Sequence, residues 1–556
     1  MYEIKQLTIR LKPTKIIKFS SLFVLFLILV AYKTPHKKRV LIIGGGPSGL
    51  VAAKSALECG LEPFILEKGE NIGGAWNPQN GLMWNSMLTN SSRYTTMFSD
   101  FPWQAGTADF PKHSEVYNYL IAYTAKFDLN KYIHFNSEVI HVKNSSNKWQ
   151  VTWREDGKKQ RQKFDFVIVA TGMFSKPYLP TLKGMNEFKG KIIHSKDYKL
   201  PEAFENKRVI IVGGAFSGSQ ISTDVSKSAS YVLNVISRPM YILQRYIKAD
   251  PEGIHLPVDF TFYNREAQMK EQYLTLEEKN RQAHERYSRI CYNQASICKF
   301  LAIDANTGTA PYITISDTYL QDIQSGKVEV TLNKIVALDK EGIVFNNGER
   351  QPADVIVFCT GYQLDLSFLD PAIQQALTFL PEDRLQPVVL HKHVFHPKLR
   401  NMAFVGLHRG AHWGVTELQS RWINMVFAGI IPMPSIKTML EGVDNELVIR
   451  TQNPKPQFPH DSSIELLEDL GREIGAVPDM ASLKQNDPHL YNKLMHTPII
   501  PAHYRLAGFG NNPTVAKQII DDLYQFMQET KQIEANNRSR IEVVQTVETI
   551  DIQKDF

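Results

Sequence analysis

KRVLIIGGGPSGLVAAKSALECGLEPFILEK, residues 38–68, is the stretch whose reading decides the fold. A basic pair leads into the aliphatic run Val40–Ile43, which breaks at three glycines. Leu50–Cys59 then places apolar residues at helical spacing, Gly60 stops the helix as a C-cap would, and Glu62–Lys68 supplies a second apolar run. Strand, turn, helix and strand in this order make the repeating unit of a parallel sheet. Gly44, Gly46 and Gly49 form G-x-G-x-x-G between the first strand and the helix. The first glycine permits a tight turn, the second lets backbone N–H groups approach a pyrophosphate, and the third allows close helix–strand packing. Glu67 follows 23 residues after Gly44, at the end of the next strand. A carboxylate there accepts hydrogen bonds from the ribose hydroxyls of an unphosphorylated adenosine.

The same grammar returns at Lys207–Gly218, KRVIIVGGAFSG, followed by a helical pattern and the strand Tyr231–Ser237. Downstream of each glycine loop an apolar strand ends in Thr-Gly: DFVIVATG at Asp165–Gly172 and DVIVFCTG at Asp354–Gly361. The chain thus carries two copies of one layout, from 44 to 172 and from 213 to 361. The expected fold class is α/β, with two Rossmann-like dinucleotide-binding domains, the second inserted in the first. The second loop departs at its middle glycine, replaced by Ala215, whose methyl would stand where a pyrophosphate comes closest. After the following strand stands Arg238, with no acid between Asn234 and Met240. A guanidinium in place of the carboxylate favours a 2′-phosphate. One FAD-type and one NADPH-type site in a single chain imply hydride transfer between the two cofactors.

Between Tyr241 and about Ile303 the layout is interrupted by a segment rich in Glu, Lys, Arg, Gln and Tyr. It reads as an exposed helical insertion, either a roof over a substrate channel or a solvated excursion. The expected domains are 1–37, a basic N-terminal segment with a membrane-anchor candidate at 16–32; 38–203, the first part of the FAD domain; 204–365, the NADPH domain with the helical insertion; 366–445, the second part of the FAD domain; and 446–556, a helical segment with a polar tail.

The net charge of +6 is not spread along the chain. Residues 1–39 hold nine Lys or Arg and one Glu, a balance of +8 that leaves −2 for the rest, so nothing marks the body as nucleic-acid-binding. Phe19–Tyr32 is uncharged and as a helix spans roughly 21 Å, short of a hydrocarbon core of roughly 30 Å. Ile16 and Ile17 extend it if Lys18 snorkels. A retained anchor or in-plane helix is the preferred reading, with a cleaved signal peptide as the rival. Four cysteines (Cys59, Cys291, Cys298, Cys359) are too few for a disulfide framework and favour a reducing compartment. Cys291 and Cys298 are placed on one helix face. Localisation is therefore expected at a membrane through the N-terminal segment, with the catalytic body in a reducing cytoplasmic compartment.

Further marks resemble one family, the flavin-containing monooxygenases, in particular the animal-type, N-oxide-forming branch. Its fingerprint F-x-G-x-x-x-H-x-x-x-(Y/F) is met by Phe188, Gly190, His194 and Tyr198 in FKGKIIHSKDY. The related Baeyer–Villiger monooxygenases usually end this motif with Trp, so Tyr198 argues for the flavin-containing group. IGGAW (Ile72–Trp76) looks like the family segment along the FAD. LTNSSR (Leu88–Arg93) with FSDFP (Phe98–Pro102) resembles the loop that carries the active-site asparagine, which falls on Asn90. HKHVFHPKL, FVGL and ELQSRW (Glu417–Trp422) are similar to the returning half of the FAD domain, and EIGAVPDM, NDPHLY and HYRLAGFG to the C-terminal segment. The likeness runs from about Lys38 to Leu523. Ala215, the N-terminal apolar run and the lack of a C-terminal anchor depart from it.

The resemblance implies an NADPH- and FAD-dependent monooxygenase that forms a C4a-hydroperoxyflavin and oxygenates soft nitrogen or sulfur nucleophiles with O2. Asn90 is then the catalytic candidate, an amide that both donates and accepts without titrating. The cofactor-binding candidates are Gly44, Gly45, Gly46, Pro47, Ser48, Gly49, Glu67, Gly74, Ala75, Trp76, Thr89, Asn90, Ser91, Gly213, Ser217, Gly218, Ser219, Gln220, Arg238, Gly361 and Gln419. Thr416 is expected to cap a helix whose N-terminus faces the flavin. His408 and His412 are read as polar pocket lining, since no further metal ligands can be assembled around them. A Baeyer–Villiger oxygenase, an uncoupled NADPH oxidase and a non-catalytic nucleotide-binding sensor stay open as alternatives, as does an oligomeric state.

Overall fold

In the computed structural model the described residues are 37–80, 82–248, 254–291, 293–460 and 462–552, with side chains described as far as 533. Two five-stranded parallel sheets organise them. In the first, β1 (Arg39–Ile43) lies at the centre, and α1 (Pro47–Glu58) leads from it to β2 (Glu62–Leu66). Val40, Leu41 and Ile42 are wholly buried, which is why this strand reads as an unbroken apolar run rather than an alternating one. Pro47 opens α1 at a position whose N–H would be orphaned anyway. Gly60, at φ +75°, ends the turn in the left-handed region. On the other side of β1 lies Phe166–Val169, the first Thr-Gly strand, and beyond it Met402–Phe404.

The second sheet repeats this order around β3 (Arg208–Val212), α2 (Phe216–Val225) and β4 (Tyr231–Val235). Val355–Phe358, the second Thr-Gly strand, flanks β3, and Glu329–Thr331 flanks β4. The fifth strand of each sheet comes from outside the repeated span: Met402–Phe404 follows it in the first, and Lys191–His194 precedes it in the second. The range 38–203 expected for one domain therefore contains an edge strand of the other sheet.

That edge strand gives the fingerprint a physical account. A side chain on Gly190 would collide with the Phe188 ring and with the Asp354 carbonyl, at 2.4 and 2.5 Å. His194 Nε2 lies 2.9 Å from the Gly361 carbonyl, tying the edge strand to the second Thr-Gly turn. The Tyr198 hydroxyl donates to Asp224 of α2 at 2.7 Å. The motif is thus a seam that fastens the crossing segment to the second sheet.

The insertion differs from its expected boundaries. Tyr241–Leu243, Tyr246–Lys248 and His255–Pro257 are short strands, and among the described residues helix begins only at Val258. Tyr241–Leu243 pairs in parallel with Ile313–Ile315 and is buried, so a long-range partner prevails here over the helical composition of the residues downstream. The helices are Val258–Phe262, Arg265–Glu271, Leu276–Ile290 and Gln294–Ile297. Cys291 closes Leu276–Ile290 and Cys298 closes Gln294–Ile297, so the two do not share one helix face as expected. All four cysteines are free. Among the described residues no helix is long and apolar enough to cross a membrane. The anchor candidate at 16–32 lies outside the described residues.

Candidate active site between the two glycine loops

The two loops have the same backbone geometry. Gly44 and Gly213 sit at φ +112° and +117°, where a side chain would strike the carbonyl of Ala170 or Cys359 at 2.6 or 2.5 Å. A Cβ on Gly49 or Gly218 would lie 1.9 Å from the carbonyl of Gly44 or Gly213. Gly46 at φ −79°, ψ −175° and Ala215 at φ −72°, ψ −171° each precede the helix in extended backbone. Ala215 therefore leaves the loop undistorted; the residue is exposed and lines the cavity. Glu67 is buried and its two oxygens accept from the N–H groups of Gly45 and Gly69 at 2.6 and 2.7 Å. A carboxylate has about four acceptor sites, so ribose hydroxyls can still be held there.

Both loops open on one cavity of about 1420 Å³, larger than the roughly 300–1,000 Å³ of a single small-ligand pocket. Gly44, Gly46, Pro47, Ser48, Glu67, Gly74, Ala75, Trp76, Thr89, Asn90, Ser91, Ser217 and Gly361 line it. Gly45, Gly49, Gly213 and Gly218 shape the turns behind that lining. Ser219 is wholly buried and bonds Thr314 at 2.8 Å. Gln419 is also buried; its Oε1 accepts from the Gly406 N–H at 3.1 Å, which holds the returning segment rather than facing the cavity. Arg238 is exposed beyond β4, its guanidinium 4.2 Å from the centre of the Tyr312 ring.

Asn90 connects the halves. Its Oδ1 accepts from Gln220 Nε2 of α2 at 2.8 Å and from Arg245 Nη2 at 3.3 Å. Arg245 also donates to the Thr89 carbonyl at 2.8 Å and pairs with Asp317 at 2.6 Å. Asp259, from the insertion, is 2% exposed, and one of its oxygens accepts from Ser92 N, Ser92 Oγ and Thr95 Oγ1 at 3.0, 2.8 and 2.6 Å. Burial raises its carboxyl above the usual range, against those hydrogen bonds. Sequence reasoning missed both residues, because neither belongs to a spaced motif.

The loop Gly406–Trp413 lines the cavity from the first half and leads into α3 (Trp413–Ala428). A Cβ on Gly406 would meet Ser48 Oγ at 2.2 Å, so this loop passes close over the start of α1. The cap of α3 is His412, whose ring accepts from the Gly414 N–H at 3.1 Å; Thr416, expected as the cap, lies one turn inside and faces the cavity. The reason is local: the chain turns helical at Trp413, so only His412 can reach the first free N–H groups. Burial pushes His412 down to about 4. His408 is 9% exposed, and burial followed by the neighbouring histidines lowers it well below its ordinary value. Among the described residues no cluster of His, Cys, Asp or Glu could hold a metal ion.

Beneath the site lies a buried cluster of three cations and three carboxylates. Arg505, 1% exposed, pairs with Glu417 at 3.1 Å, Glu58 at 3.3 Å and Asp100 at 3.4 Å. Lys54 bridges Glu58 and Asp100, and Arg421 donates to the Tyr504 and Phe509 carbonyls at 2.7 and 2.9 Å. Burial alone would raise Asp100, but Arg505 and Lys54 hold it below its ordinary value. Helices α1 and α3 and the C-terminal segment are fastened together here.

Comparison with known proteins agrees with this architecture. The family model described as flavin-binding monooxygenase-like matches residues 37–553. Flavin-containing monooxygenase 5 of Cavia porcellus is 32% identical over 506 residues, covering 87% of this chain and 91% of the relative. The N-oxide-forming dimethylaniline monooxygenase 2 of Mus musculus is 32% identical over 503 residues, covering 85% and 89%. Among solved structures, S-allyl-L-cysteine S-oxygenase from Allium sativum shares the fold at a TM-score of 0.57 and 23% identity, covering 88% of this chain and 99% of the other. Cyclohexanone monooxygenase bound to epsilon-caprolactone shares it at 0.59 and 17%, covering 80% and 98%. With two repeated cradles on one cavity and a match along nearly the whole described chain, the protein belongs to the flavin-binding monooxygenase-like family and is a flavin-dependent monooxygenase.

Proposed function

We propose that the chain spends NADPH and O2 to oxygenate soft nitrogen or sulfur nucleophiles, with FAD held by the first glycine loop and NADPH by the second. The observation that carries this reading is the single cavity shared by both loops, with Asn90 fastened to Gln220 of the second half inside it. When bound, FAD would take up hydride from NADPH and supply the oxygen chemistry. The residues present fit it: the N–H groups around Gly46 are open to a pyrophosphate and Glu67 is placed for ribose. In the second half, Arg238 carries no carboxylate partner among the described residues, which suits a 2′-phosphate.

The chain's own contribution is exclusion of water and fixed orientation. Asp259 and Arg245 hold the Leu88–Thr95 loop rigid from the second half, so the Asn90 amide stays aimed while cofactors come and go. The resemblance of Phe188–Tyr198 to the animal-type fingerprint supports nitrogen and sulfur substrates over ketones. The uncharged run Phe19–Tyr32 supports attachment to a membrane at that end, and release of the protein from membranes by carbonate wash would overturn this part.

The test is product analysis with the flavin-loaded protein, NADPH and air. A tertiary amine and a thioether are expected to give N-oxide and sulfoxide, and a cyclic ketone to give no lactone. Lactone as the main product would sink the substrate assignment. Asn90→Ala is expected to lower product formed per NADPH by about tenfold or more, with hydrogen peroxide making up the balance. Unchanged coupling would remove Asn90 from the site.

A further inference from the structure

Arg409 in the cavity lining, and Arg238 and Arg384 outside it, carry guanidinium groups with no carboxylate partner among the described residues. They are held in place by other means. Arg238 stacks on Tyr312 at 4.2 Å and Arg384 on Tyr178 at 4.4 Å. Arg384 also donates to the Thr360 carbonyl, and Arg409 donates to the Arg384 carbonyl at 3.1 Å. Other cations close by are neutralised: Lys455 and Arg450 both pair with Asp383. A positioned but uncompensated arginine in a cavity wall, as Arg409 is, can receive an oxyanion.

The position of Arg409 identifies the oxyanion. It lines the cavity that Ala215 and Ser217 of the second glycine loop also line. The segment Cys359–Gly361, to which Arg384 is bonded, is the one Gly213 packs against, a Cβ there meeting the Cys359 carbonyl at 2.5 Å. Arg384 and Arg409 are therefore anchored beside the cradle of the second dinucleotide, while Arg238 stands just past β4, where such a domain holds the adenosine ribose. His408, next to Arg409, also lines the cavity and is 9% exposed with neither ring nitrogen bonded. Burial, then the charge of Arg384, press the Arg409 guanidinium down from its ordinary value, while Tyr312 raises it. An arriving anion would relieve that pressure.

Resting on the NADPH reading above, we propose that Arg409, backed by Arg384, grips the pyrophosphate of the dinucleotide from the wall facing Ala215. The grip offsets the methyl that Ala215 places in the cradle. It also makes the returning segment of the flavin half a part of the nicotinamide cofactor site, so that the dinucleotide is clamped between the two halves.

The experiment uses full-length, flavin-loaded protein and titrates NADP+, NAD+ and adenosine 2′-monophosphate by calorimetry. Flavin content serves as the check that each variant is folded. Arg409→Gln is expected to weaken NADP+ and NAD+ alike by about tenfold or more and to spare adenosine 2′-monophosphate, which has no pyrophosphate. Arg409→Lys is expected to retain part of the affinity and its salt dependence. Arg238→Gln should do the reverse, weakening NADP+ and adenosine 2′-monophosphate while sparing NAD+. Dinucleotide affinities within twofold of wild type in Arg409→Gln would overturn the proposal, as would a loss confined to NADP+ and adenosine 2′-monophosphate. With Arg238→Gln behaving as expected, either result leaves the NADPH reading standing. A wild-type protein that binds neither dinucleotide would overturn both.

Discussion

Gly49→Ala is expected to yield protein with almost no bound flavin. The added Cβ would sit 1.9 Å from the Gly44 carbonyl, a backbone atom that cannot rotate away. Helix α1 must then lift from β1, which widens the cradle and misdirects the N–H groups at the helix start that a pyrophosphate needs. Flavin per chain, read from absorbance after desalting, should fall by more than about tenfold, since 1.4 kcal/mol of lost binding already gives that factor. The matching change in the second copy separates this from general misfolding. Gly218→Ala makes the same 1.9 Å contact with Gly213 and should leave flavin content near normal while abolishing reduction by NADPH. A Gly49→Ala protein with stoichiometric flavin would show that the first loop is not the flavin cradle.

Arg505→Met is expected to be the most destabilising single change outside the glycine loops. It leaves three carboxylates, Glu58, Asp100 and Glu417, facing only Lys54 and Arg421 in a buried cluster. Breaking a buried pair on one side typically costs about 3–5 kcal/mol. Replacing both sides with apolar groups is often nearly neutral, so Arg505→Met with Glu417→Leu should recover much of the loss. Thermal melts of the flavin-loaded protein would check this. A single variant as stable as wild type, or a double variant less stable than the single, would contradict the charge-balance account. Because α1 and α3 meet in the cluster, the single variant should also release flavin at lower temperature.

Much of the fold and of the candidate site is legible along the chain because it is local. The glycine loops, Glu67 and the Thr-Gly strands announce themselves by spacing, and each half of the repeat vouches for the other. The hidden part depends on contacts between distant segments. Nothing in YILQRYIK marks Arg245 as the residue that bonds Asn90 and the Thr89 carbonyl, nor does PVDF mark Asp259 as the anchor for Ser92 and Thr95. Tyr241–Leu243 reads as part of a helical insertion because its strand partner, Ile313–Ile315, lies far downstream. Thr416 suits a cap by residue type, whereas the backbone enters the helix one turn earlier and leaves that position to a histidine. The fingerprint around His194 is recognisable in the sequence, but its physical meaning appears only with its strand at the edge of the second sheet.

The borrowed edge strands also fix an order of events during synthesis. The second sheet has all five strands once residue 358 has been made. The first cannot be completed before Met402–Phe404, and its helices are not locked before Arg505 emerges. Domains generally fold as units during translation, N-terminal ones first. Here the half that begins first finishes last, since residues up to Arg505 must be made before α1 and α3 can lock together.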